Sequence, residues 1–248
     1  MEILVCIDDT DNLKFGSTGK LAQHFIDVLE EKGLGKGSYI TRHQLYVHKD
    51  IPYTSHNSSM CFIMECKKDE YENIIQTGIE VLLDKSEEGS DPGLCVARLE
   101  DIKDMELIKE YGRRAKKEVL TKKIAYDTAK ELGVHLSEHG GTGQGVVGAL
   151  AGIGLRLGGN DGRIRGKLQI PSEDGYITAG EILKLTDVEV IEGLNGEEID
   201  PDEIIKLGQK IKAVFLYNTM VLLVFKKYDK NSKREIWHTV ERKHYVKY

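Results

Sequence analysis

The chain has 248 residues, 40% hydrophobic and 31% charged, with 41 acidic against 35 basic side chains and a net charge of -6. That is the composition of a soluble globular protein of one large or two modest domains, and it argues against a generally basic nucleic-acid binder. No run of about 18 apolar residues occurs, and the opening Met-Glu-Ile-Leu-Val lacks an export signal, so the expectation is a cytoplasmic protein with no membrane partner.

Taken in chain order, Ile3 to Ile7 is a short continuous apolar run that predicts a buried strand, and it ends in Asp8, Asp9 and Asp11. Ser17 or Thr18 then caps a helix whose apolar positions Leu21, Phe25, Val28 and Leu29 recur at helical spacing, with Gly33 as a natural stop. Tyr39 to Val47 and Met60 to Cys66 read as strands across an irregular connection, Asp50 to Ser59. Ile74, Ile75, Ile79, Leu82 and Leu83 mark an amphipathic helix. An acidic loop from Asp84 to Pro92 leads into a strand from Leu94 to Arg98, and helices follow at about Met105 to Val119 and Lys122 to Leu132.

Val134 to His139 makes a poor buried strand, whereas Val146 to Leu157 is small and apolar almost all round and predicts a tightly buried helix. After Pro171, short elements separated by Asn195-Gly196 and Asp200-Pro201 turns predict a small, mainly β module with one or two helices. The expected division is therefore residues 1–170 and 171–248. The cysteines Cys6, Cys61, Cys66 and Cys95 sit in or beside apolar runs without a C-x-x-C pair, which predicts reduced, mostly buried thiols and no zinc module.

Carboxylates crowded at the end of a buried strand repel one another unless a cation or hydrogen-bond donors compensate them. Hard oxygen ligands at this place suit Mg²⁺, which keeps several waters and bridges to phosphate oxygens. The following helix offers its N–H groups and the positive end of its dipole to the same phosphates. The competing reading is an Asx-type turn with solvated acids. Gly16-Ser17-Thr18-Gly19-Lys20 is not a Walker A loop, because its glycines are too close together and Leu21 stands where Ser or Thr is required. Lys20 remains either a phosphate contact or a solvated surface lysine.

The run Val5-Cys6-Ile7-Asp8-Asp9-Thr10-Asp11 resembles the opening of the kinase-like domain of archaeal agmatidine synthetase, which modifies an isoleucine tRNA anticodon. Ser17-Thr18 falls where that family has a threonine pair. Ile51-Pro52-Tyr53-Thr54, Asp91-Pro92-Gly93 and Gly143-Gln144-Gly145-Val146-Val147-Gly148-Ala149-Leu150-Ala151 are similar to three further family segments in the same order. The resemblance covers about residues 1–170 and omits the family's OB-fold and zinc ribbon. It implies an ATP site in which the carboxylates of Asp8, Asp9 and Asp11 hold Mg²⁺ and Thr18 is a phospho-acceptor; read from the residues themselves, Thr10, Ser17, Lys20, Asn57, Gly143 and Gly145 are the further candidates around the nucleotide. Two departures remove cationic charge: Ser55-His56-Asn57-Ser58 replaces Thr-Arg-Gly-Asn, and Gln144 replaces the Arg of Gly-Arg-Gly.

Other motifs keep two readings each. Gly143, Gly145 and Gly148 satisfy G-x-G-x-x-G, yet the preceding segment is a poor strand, so a dinucleotide fold is not expected; the glycines either cradle phosphates or permit close helix packing. Asn57 is a phosphate or ribose contact or a turn residue, Tyr53 an adenine stack or packing, and His56 a weak acid–base candidate. Glu88 and Asp91 could recognise an amine, but a solvated acidic loop is the simpler expectation. Lys and Arg cluster at Arg113 to Lys123 and at Lys226 to Lys247, where Trp237, Tyr245 and Tyr248 interleave with them; both are RNA- or partner-binding candidates or solvated faces.

The expectation is thus an α+β protein, with a kinase-like α/β portion, a ferredoxin-like portion and a small mainly β C-terminal module. Its expected function is Mg-ATP-dependent phosphoryl transfer to an RNA nucleobase or a small molecule. The alternative is a non-catalytic nucleotide-sensing or scaffold protein of the same fold. A homodimer is compatible with either.

Overall fold

The computed structural model describes residues 1–12, 14–51 and 57–245. The chain divides into two compact units, Met1–Gly158 and Gly159–Tyr248. The first unit contains, in order, β1 (Glu2–Asp8), α1 (Thr18–Glu31), β2 (Lys36–Gly37), β3 (Thr41–Gln44), β4 (Ser58–Glu65), α2 (Tyr71–Lys85), β5 (Gly93–Arg98), α3 (Met105–Ala115), α4 (Lys122–Leu132), β6 (His135–Glu138) and α5 (Gly145–Gly158). Its sheet runs β6-β5-β1-β4-β3, with β2 also on β4, and the pairs within it are antiparallel.

Alternation along the strands divides the apolar side chains between two cores. Ile3, Val5 and Ile7 of β1 meet Phe25 and Leu29 of α1 and Ile74 and Leu82 of α2 on one face. Leu4 and Cys6 meet α3, α4 and α5 on the other. The acid that continues the second series is Asp8, which therefore points towards α5 rather than α1. The structure bears out the α+β class and the buried helix behind the glycines, in which residues 148–156 are all buried.

Three sequence expectations change. The segment Val134 to His139 does contain a strand, β6, at the sheet edge; one flank lacks a partner strand, so its His-Leu-Ser-Glu sequence needs no continuous apolar run. Because β6 is antiparallel to β5, the glycine run after it is not the turn of a parallel β-α-β unit. Helix α3 stops at Ala115, short of Val119, and Thr121 caps α4 by accepting from the Ile124 N–H. The strand expected from Tyr39 to Val47 is confined to Thr41–Gln44.

The second unit contains β7 (Arg163–Ile164), β8 (Tyr176–Thr178), α6 (Ala179–Leu185), β9 (Val190–Gly193), β10 (Ile204–Lys206), β11 (Val214–Leu216), β12 (Thr219–Asp229), β13 (Arg234–Thr239) and α7 (Arg242–Tyr245). Its strands run β7-β11-β12-β13-β10-β8, and β9 lies parallel to β12. Thr178 caps α6 in a reciprocal arrangement with Glu181. Trp237 and Tyr245 are buried, so neither is an exposed stacking platform, and Tyr248 lies outside the described residues. Among the described residues, no helix is long and apolar enough to cross a membrane.

Candidate functional site

The end of β1 is shaped by close backbone approach. Asp8 pairs with Gly93 on β5, and a Cβ on Gly93 would overlap the backbone of Gly145 at the start of α5. A Cβ on Gly148 would overlap the Asp8 carboxylate, and one on Gly152 would overlap the Cys6 sulfur. The glycines thus bring the first turns of α5 against the acidic end of the strand, where the positive end of the helix dipole faces Asp8. The packing role is established by these distances; a phosphate-cradling role remains compatible with it.

Asp8 is only 7% exposed and Asp9 is partly buried. Burial, reinforced by the neighbouring Asp9, pushes the Asp8 carboxyl well above the ordinary value. Burial also raises Asp9 to about 6, helped by Asp91 and Asp11. Asp9 has a φ of 53°, in the left-handed region, and its carbonyl accepts from the Asp91 N–H at 3.1 Å. The Thr10 hydroxyl is buried and, among the described residues, has no hydrogen-bond partner.

Asp8 and Asp9 line a cavity of about 580 Å³ together with Asn57, Lys122, Lys123, Thr142, Gln144, Gly145 and Gly148. Leu45, Ile51, Ala115, Val119, Leu120 and Val147 supply apolar walls. Lys122 Nζ donates to the Thr142 carbonyl at 2.7 Å and pairs with Glu138, which fixes a cation at the rim. Asn57 donates from its side chain to the Tyr46 carbonyl at 2.6 Å, a turn-holding contact. A polar end and an apolar wall in one cleft are the makings of a site for a ligand with a charged group and a flat or aliphatic body.

Asp11, Ser17 and Thr18 line a second cavity, of about 100 Å³, with Gly19, Arg42, Ser58 and Met60. Ser17 caps α1 by accepting from the Lys20 N–H, and Arg42 Nε donates to Ser58 Oγ at 2.9 Å. Met60 and Phe62 belong to the α1 side of the sheet and Cys61 to the α5 side, so the two cavities open on opposite faces at the same end of the sheet. The acidic loop runs between them, with Asp9 in one and Asp11 in the other. Lys20 is exposed and lines neither cavity, and Gly143 is held beside Asp91 rather than in the cavity wall.

Asp91 departs from the solvated-acid expectation. Its carboxylate accepts from the Thr142 N–H, from Thr142 Oγ1 at 2.8 Å and from the Gly143 N–H at 3.3 Å, and its carbonyl accepts from the Gly145 N–H at 3.1 Å. It clamps the glycine run onto the sheet. Sequence reasoning also passed over Arg42 and treated Lys122 only as part of a charge cluster. Arg42 carries a local signal, a cation within a strand. Tyr53 and His56, with the rest of the Pro-Tyr motif from Pro52, lie outside the described residues.

Among the described residues, no group of three or more His, Cys, Asp or Glu side chains is placed to hold a metal ion. Asp8 and Asp9 nevertheless fit a hard cation completed by water and phosphate, because their raised proton affinity marks charge that the protein leaves uncompensated. Cys6, Cys61 and Cys95 are free and buried, with Cys66 partly buried. Burial raises the Cys6 and Cys95 thiols well above their ordinary value.

No family model matches the chain, and a search of curated proteins finds no match. Among solved structures, the fold is shared with tRNA-handling enzymes, including one described as a tRNA fluorescent labeling enzyme, at 26% identity over 62% of this chain, with a TM-score of 0.55. The similarity is specifically to TiaS, the agmatidine synthetase of an isoleucine tRNA, as the sequence motifs indicated. The complex of TiaS with that tRNA and ATP matches at 26% identity and a TM-score of 0.55, and the match covers 36% of that chain. The complex with the tRNA, AMPCPP and agmatine shares the fold over 74% of this chain and 44% of that one, at 21% identity and a TM-score of 0.53. The match thus spans less than half the length of these proteins.

Proposed function

We propose that the chain is a Mg-ATP-dependent phosphoryl-transfer enzyme whose acceptor is an RNA nucleobase or a small molecule. The observation that carries this reading is the pair of buried, uncompensated carboxylates, Asp8 and Asp9, in a large cavity closed on one side by the start of α5. The similarity to TiaS, whose structures contain ATP and tRNA, supports it. The β1-α1-β3-β4-α2-β5 order, with neighbours β5-β1-β4-β3, supports a ferredoxin-like portion within the first unit.

In this reading Asp8 and Asp9 hold Mg²⁺, which supplies charge neutralisation for the phosphates when bound. Asp8 and Asp9 must shed their protons for this. Lys122, held by Glu138 and the Thr142 carbonyl, places an ammonium group at the rim. The apolar wall of Leu45, Val119, Leu120 and Val147 receives the ligand's uncharged body and excludes water from it. Thr18 lies in the second cavity with Arg42 and Asp11, so in this reading it accepts phosphate only when the phosphate chain crosses the acidic loop from Asp9 to Asp11 at the end of the sheet that both cavities share.

Titration calorimetry with ATP and MgCl₂ tests the binding step, and mass spectrometry of the nucleotides and of the protein tests turnover. Mg²⁺-dependent ATP binding followed by ADP, AMP or a phosphorylated threonine is the expected result. Binding without any product would instead identify a nucleotide sensor, and no binding would refute the site.

A further inference from the structure

The second cavity is small, and among its described lining residues Arg42 is the one cation and Asp11 the one anion. Arg42 is the ladder partner of Met60, which places the guanidinium on the α1 side of the sheet, and its Nε donates to Ser58 Oγ at 2.9 Å. Thr18 faces it from the first position of the 14-residue helix α1. Thr18 is only 6% exposed, and its hydroxyl has no hydrogen-bond partner among the described residues. Ser17 takes the Lys20 N–H on its side chain and the Lys20 and Leu21 N–H groups on its carbonyl. That leaves the Thr18 and Gly19 N–H groups, the first two of the helix, without an acceptor among the described residues. Water can satisfy a hydroxyl and two N–H groups, but a guanidinium held beside them adds the charge that selects an anion.

We propose that this cavity receives the phosphoryl group of phosphorylated Thr18 and that Arg42 is the residue that positions it. The inference rests on Thr18 as the phospho-acceptor of the function proposed above. Transfer bonds Thr18 Oγ1 to the terminal phosphorus of ATP and breaks the bond from that phosphorus to the bridging oxygen; the electron pair leaves on ADP, and the hydroxyl proton passes to a phosphoryl oxygen. The three oxygens of the transferred group need about 90 Å³ at the liquid volume of a water, roughly 30 Å³ each. A cavity of about 100 Å³ takes that group and excludes a nucleoside. A phosphate on the first residue of a helix meets the free N–H donors and the positive end of the dipole. Arg42 adds a planar fork that matches two phosphate oxygens. Asp11 works against the arrangement, because it sets a carboxylate in the same cavity; without Arg42 the two anions would face each other uncompensated.

Phosphothreonine installed at position 18 of the full chain by genetic-code expansion tests this without relying on the chain's own turnover. Phosphorus NMR follows the second ionisation of the phosphate, which lies near pH 6 in an exposed phosphothreonine, as a rough reference. Arg42→Gln should raise that midpoint by about one pH unit relative to the chain that keeps Arg42, because the opposite charge that favours the dianion is gone. Arg42→Lys should restore part of the difference, since it keeps the charge and loses the fork. Ser58→Ala removes the acceptor of the Arg42 Nε and should raise the midpoint by less, which keeps the comparison available should Arg42→Gln fail to fold. Melting temperatures verify folding. A midpoint that none of the substitutions moves, or a chain that unfolds with phosphothreonine at position 18, would overturn the inference. A midpoint that moves as expected in a chain that never turns over ATP would refute the proposed function and leave the Arg42 pocket standing, whereas turnover with an unmoved midpoint would do the reverse.

Discussion

Replacing Asp9 by Asn removes a charge while leaving shape and backbone almost untouched, because Asn tolerates the left-handed φ of 53° found there. The Asp9 carboxyl rises from 3.8 to about 6 on folding, chiefly through burial. At about 1.4 kcal/mol for each pH unit, the full rise would be roughly 3 kcal/mol. Asp9 is partly open to water, which screens the effect, so about 1–2 kcal/mol remains. Since the folded value lies above the unfolded one, this contribution is present below about pH 4 and is lost as pH rises through about 6. Asp9→Asn should therefore be more stable than the native chain by about 1–2 kcal/mol in urea unfolding at pH 7.5, with the gain falling towards zero at pH 4. The same variant should lose most Mg²⁺-dependent nucleotide binding. A variant that is less stable at pH 7.5, or equally altered at both pH values, would refute the reasoning.

Nucleotide affinity in the native chain should rise from pH 5 to pH 7, because protonated Asp8 and Asp9 cannot serve a cation; calorimetry in two buffers would show proton release on binding, and its absence would count against these ligands. Gly148→Ala places a methyl group on the Asp8 carboxylate and should destabilise the fold by about 1–3 kcal/mol, as read by chemical denaturation, while weakening Mg-ATP binding. Asp91→Ala strips the glycine run of its acceptor and should accelerate hydrogen exchange at Thr142 and Gly143 at least tenfold; unchanged exchange would show that the clamp is unimportant. In a native thiol titration, Cys6, Cys61 and Cys95 should stay unreactive and Cys66 should react slowly, whereas rapid reaction of two or more would contradict the burial.

Much of the first unit is legible locally. The apolar run before Asp8 gives β1, the Ser17 cap gives α1, and the small apolar residues after Gly145 give a helix that must lie deep. The site is less legible because its contacts are remote in sequence. Asp91 meets Thr142 across 51 positions, and Lys122 meets Thr142 across 20. Nothing in Asp91-Pro92-Gly93 announces that its carboxylate closes a glycine turn. The division of the acidic loop between two faces of the sheet is legible only in hindsight, from the alternation that sends Ile7 one way and Asp8 the other. Strand β6 left a signal that the apolar criterion passed over. His135, Ser137 and His139 recur with period two, and their side chains form a hydrogen-bonded row at 2.8 and 2.7 Å.

Helix α5 touches its surroundings through hydrogen atoms where most helices would present side chains, at Gly145, Gly148, Gly152 and Gly154. If the proposed chemistry were lost, a descendant of this chain would still need every one of those gaps to stay assembled. Asp8 and Asp9 have no such protection, since the assembled body is better off without their charge. Decay of the chemistry would therefore be written first in the two acids, while the glycine pattern beside them persisted.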